Sequence, residues 1–63
     1  MFEGRAFRTA RKRYLQALQR HHDYYVKLKR TRESAGLDLD PGDQVQYDVA
    51  MSREASGEVK PLK

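Results

Sequence analysis

The densest run of groups able to bind a metal or exchange a proton is His21-His22-Asp23-Tyr24-Tyr25, near the middle of the chain. Imidazole beside carboxylate offers metal ligation or a contact that responds to pH near neutrality. The spacing argues against a metal. Adjacent histidines on a helix point about 100° apart, and a two-histidine metal pair on one helix face needs its members four residues apart. On a helix His21 shares its face with Leu18, Tyr25 and Leu28, so the pattern predicts packing or interface histidines. Ser34, Ser52 and Ser56 lie outside any glycine elbow, and Gly36, Gly42 and Gly57 are isolated turn residues instead of a phosphate-cradling loop. With no cysteine the chain has neither thiolate ligands nor a disulfide framework. No catalytic residue, metal site or cofactor is expected, and the chain reads as a non-enzyme.

These residues must be positioned by the stretch that surrounds them, Arg5 to Ala35, which contains neither Pro nor Gly. At about 100° per residue, Phe7, Tyr14, Leu18, His21, Tyr25, Leu28 and Ala35 fall on one side of a helix, with Leu15 and Val26 at one border and Ala10 and Ala17 at the other. Arg5, Lys12, Arg13, Arg20, Lys27 and Arg30 fall on the back, with Gln16, Gln19 and Asp23 among them. Residues 1–36 are therefore expected as one long basic amphipathic helix. Gly36 suits the left-handed position just past its end, and Leu37 can fold back as in a Schellman cap. Heptads set from Phe7 place Tyr, His and Ala at inner positions, a poor parallel coiled-coil seam, so an antiparallel helix partner suits the sizes better.

Residues 37–63 read differently. Pro41-Gly42 fits the centre of a type II turn within an acidic segment. Val45, Tyr47, Val49 and Met51 then alternate with polar or small residues, the period of a half-buried strand. Glu58-Val59-Lys60 follows a Ser-Gly loop as a second short edge strand. The expected fold is mainly α, in a single domain: one long basic helix, a Pro-Gly turn, and a short β strand or hairpin packed on it.

Composition bounds the function. A chain of 63 residues, 38% hydrophobic and 35% charged, has room for one small core and no deep pocket. The longest apolar runs are three residues, which argues against a membrane-spanning helix and a secretory leader and points to a cytoplasmic setting. Charge is split between the halves, +7 over residues 1–36 and −3 over residues 37–63. In size and composition the chain resembles small accessory proteins of phages and mobile elements.

Two function classes follow. The first is a protein-binding module, an adaptor, inhibitor or assembly factor. It would dock Phe7, Tyr14, Leu18, His21, Tyr25 and Leu28 into an acidic-rimmed apolar groove of a larger protein or assembly, or onto another copy of itself. The alternative is a sequence-nonspecific nucleic-acid binder using Arg5, Lys12, Arg13, Arg20, Lys27 and Arg30 on phosphates. A membrane-surface role is disfavoured, because Tyr, His and Ala make a weakly apolar front.

Overall fold

The computed structural model describes residues 2–63, with side chains from Arg8 onward, as two helices: α1, Phe2–Ser34, and α2, Pro41–Ala55. α1 is continuous through the His-His-Asp-Tyr-Tyr run, as expected of a segment dominated by Arg, Lys, Gln, Leu and Ala. It stops where the glycine predicts. Gly36 sits at φ 70°, its N–H donates to Glu33 O at 3.0 Å, and Leu37 N–H reaches Arg32 O at 2.8 Å. This reciprocal pair is the Schellman stop. Leu37 nevertheless stays 52% exposed, and Leu39, at 8%, is the residue that tucks under.

The expected β strand or hairpin is not present: no strand occurs among the described residues, and the segment around Val45 to Met51 is helical. The physical reasons are local. Asp40 is extended at φ −61°, ψ 153°, Pro41 occupies the first helical turn and Asp43 follows it, so Asp-Pro-Gly-Asp is a helix start and not a closed turn. Beyond it Gln44, Gln46, Ala50, Met51, Arg53 and Glu54 outnumber the β-branched Val45 and Val49. The apparent period of two also concealed a period near 3.6, because Tyr47 and Met51 are four apart. The face turned to α1 carries Tyr47, Ala50, Met51 and Glu54, whereas Val45 is 58% exposed and Val49 38%.

Glu58-Val59-Lys60 is not a returning strand either. Gly57, at φ 84°, ends α2 with the same motif, its N–H on Glu54 O at 3.1 Å and Glu58 N–H on Arg53 O at 2.9 Å. Residues 58–63 continue as an irregular tail in which Val59 is 4% exposed.

α2 folds back over the second half of α1 and supplies the helix partner that α1 needs. Among the described residues the core is small: Leu18, His22 and Val26 from α1, Leu39 from the connection, Ala50 from α2 and Val59 from the tail. Ala50 has no side chain beyond Cβ and is fully buried, which lets the helices approach closely. The core line Leu18-His22-Val26 runs roughly 60° round α1 from the centre of the expected front. Hydropathy alone misplaces it, because it counts the tyrosines as inward and treats His22 as outward.

The tail lies along the neighbouring stripe of α1. Gln19 Oε1 accepts from Lys60 N–H at 2.8 Å while Gln19 Nε2 donates to Lys60 O at 2.9 Å. Further along, the Arg30 guanidinium donates to Leu62 O at 3.0 Å and Lys63 O at 3.3 Å.

The molecule is elongated, 53 × 23 × 16 Å, with a Cα radius of gyration of 14.6 Å. A compact chain of this length would have a radius near about 11 Å. α1 sets the long dimension, since 33 residues rise about 50 Å, while the 15 residues of α2 rise only about 22 Å. Consequently every residue from Arg8 to Ala17 is exposed. Among the described residues no helix is long and apolar enough to cross a membrane.

Candidate functional site

Two places concentrate chemistry, and the first is His22. Its side chain is fully buried between α1 and α2, Nδ1 2.9 Å from Asp23 Oδ1 and Nε2 2.7 Å from Glu54 Oε2. Ionised carboxylates only accept hydrogen bonds, so satisfying both contacts requires that both ring nitrogens donate, which is the imidazolium form. Burial works against that charge, but the hydrogen bonds and negative charges of Asp23 and Glu54 outweigh it and raise the His22 pKa above its ordinary 6.5. Asp23 moves the other way: the bond from His22 holds its carboxyl below 3.8, helped by Gln19 Nε2 at 3.0 Å and the charge of Lys27.

This clamp ties the helices together and leaves no free ring nitrogen for a substrate or metal. Among the described residues no cluster of His, Asp and Glu is arranged to hold a metal ion. His21 stands beside it in a different role. Its Nε2 hydrogen-bonds with Gln46 Oε1 at 2.9 Å and its ring lies 4.8 Å from that of Tyr25, while Nδ1 is buried with no hydrogen-bond partner among the described residues.

The expected protein-binding residues are dispersed by this packing. Leu18 is buried by the chain itself, His21, Tyr25 and Leu28 are half-buried, and Tyr14 is 59% exposed. The side chain of Phe7 lies outside the described residues, as does that of Arg5 from the basic set. Lys12, Arg13, Arg20 and Lys27 are exposed, and Arg30 is exposed but engaged with the tail carbonyls.

The second place was not legible in the sequence. Where the exposed stretch of α1 meets the tail, an open groove of about 860 Å³ runs beside Arg8, Arg11, Lys12, Leu15, Gln16 and Gln19. Its far end is closed by the tail from Gly57 to Lys63, and the Gln19–Lys60 bonds fix the two walls relative to each other. Leu15, Pro61 and Leu62 supply apolar surface, and Arg8, Arg11, Lys12, Lys60 and Lys63 supply positive charge. Lys60 and Leu62 gave no signal until the tail was placed against the helix, 41 residues away in sequence at Gln19. Comparisons with protein families, with curated proteins and with solved structures find no match for this chain.

Proposed function

We propose that this chain is a non-catalytic protein-binding module, an adaptor, inhibitor or assembly factor, that docks a larger protein through α1 with a basic rim selecting an acidic surface. The observation that carries this reading is the exposed stretch of α1 from Arg8 to Ala17. Tyr14 and Leu15 stand exposed there among Arg8, Arg11, Lys12 and Arg13, with no acidic residue from Arg8 to Ala17. Tyr and Arg are enriched where binding energy concentrates, and rim charges mainly tune the association rate. The test is salt dependence. Affinity for the partner should fall about tenfold or less between roughly 50 and 200 mM salt.

The same cation run supports a second reading, in which Lys12, Arg13, Arg20 and Lys27 contact phosphates. Four such contacts would give a log-log salt slope steeper than about −3.5 on duplex nucleic acid, with each charge removed reducing it by about 0.9. Tight binding to mixed-sequence DNA or RNA at about 150 mM salt with that slope would displace the protein-binding reading.

A further inference from the structure

We infer that the groove between the N-terminal half of α1 and the C-terminal tail receives an acidic amphipathic segment of the partner protein. This inference rests on the protein-binding reading above and specifies where and by what chemistry docking occurs.

The argument is one of complementarity. Leu15 and Leu62 line the groove and keep apolar surface there, Leu15 36% exposed and Leu62 half-buried. Around them, among the described residues, Arg8, Arg11, Lys12, Lys60 and Lys63 outnumber the two acids that line the groove, Asp23 and Glu58. Asp23 is already bonded to His22 and Gln19, and Glu58 accepts from Ser56 Oγ at 3.2 Å. Among the described residues Arg8, Arg11, Lys12 and Lys60 make no ion pair.

An occupant must therefore bring both apolar side chains and carboxylates. A phosphate backbone brings only charge and leaves the apolar surface wet, whereas an uncharged apolar peptide leaves the cations without counter-charge. A helix with apolar residues at i, i+3, i+4 and i+7 and Glu or Asp on its flanks satisfies both. The groove volume, about 860 Å³, is within the range of sites that hold a few anchoring side chains. The walls are also preorganised, because the tail is held at both ends of its course, by Gln19 and by Arg30, so the occupant need not order it.

The experiment uses the full chain and a labelled model helix of about 16 residues, roughly 24 Å long, with Leu at the anchor positions and Glu elsewhere. A scrambled peptide and a DNA duplex serve as comparisons. Lys12→Glu and Leu15→Glu, both at exposed positions that leave the fold intact, are each expected to weaken binding of the peptide at least tenfold. Replacing by Lys only the one peptide Glu that faces position 12 should restore binding to Lys12→Glu, because the other cations of the groove keep their Glu partners. Tyr24→Ala, outside the groove, should bind as the unaltered chain does.

Equal binding by the unaltered chain, Lys12→Glu and Leu15→Glu would overturn the groove assignment, and if Tyr14→Asp then abolished binding, the broader protein-binding reading would survive on the other side of α1. Equal affinity for the scrambled peptide would also overturn it, by showing attraction without anchoring. Binding of the duplex but not of the peptide would remove both readings together.

Discussion

His22 is the residue on which the helix pair turns, and its protonation sets a direction for stability. Its pKa is raised on folding, so the stabilisation it brings is complete below the unfolded value of 6.5 and is lost as pH rises through the folded value. Asp23 has its pKa lowered, so its contribution is complete above 3.8 and is lost as pH falls through the folded value. Both contributions are complete together only between those two ordinary values. Thermal melts across the pH range are expected to show maximal stability between 3.8 and 6.5, declining on the alkaline side. His22→Gln should flatten that alkaline decline, since an amide does not titrate there. A melting temperature that rises from pH 6 to pH 8 would contradict the charged clamp.

At the scale of elements, Gln19 joins the tail backbone, 41 residues away, to Asp23 and thereby to the His22 clamp. Gln19→Ala is expected to cost about 1 to 2 kcal/mol, since it removes two bonds to the tail backbone and one to a carboxylate. The exposed neighbour Gln16→Ala should stay within about 0.5 kcal/mol. Hydrogen exchange at the Lys60 amide should accelerate in the first variant and not in the second. α1 was legible from its uninterrupted helix formers and from Gly36, because both signals are local. α2 was not, because Asp40-Pro41-Gly42 serves equally as a turn or as a helix start, and the alternation from Val45 to Met51 concealed the four-residue spacing of Tyr47 and Met51. The groove was illegible for a stronger reason: its walls come from opposite ends of the chain, and nothing near Leu15 or Lys12 reports where Lys60 and Leu62 will lie. The inward histidine was hidden likewise, since its second carboxylate arrives on α2.

The whole molecule is a small knot of packing at one end of a long helix. Among the described residues five apolar side chains and one charged clamp make a modest core, so thermal unfolding is expected below about 65 °C, and a midpoint above that, unchanged over a hundredfold dilution, would show that more holds the chain together than this packing. Amides from Arg8 to Ala17, where every residue is exposed, should exchange well before those from Leu18 to Ser34. The 53 Å length also has a hydrodynamic result. Amide N–H bonds in α1 lie nearly along the long axis, so spinning about that axis leaves them unmoved and only end-over-end tumbling reorients them. The Lys60 N–H points across the axis toward Gln19, and both motions turn it. In solution the α1 amides should therefore relax with a longer rotational correlation time than Lys60 does, and a partner that folds the shape into a sphere would erase the difference.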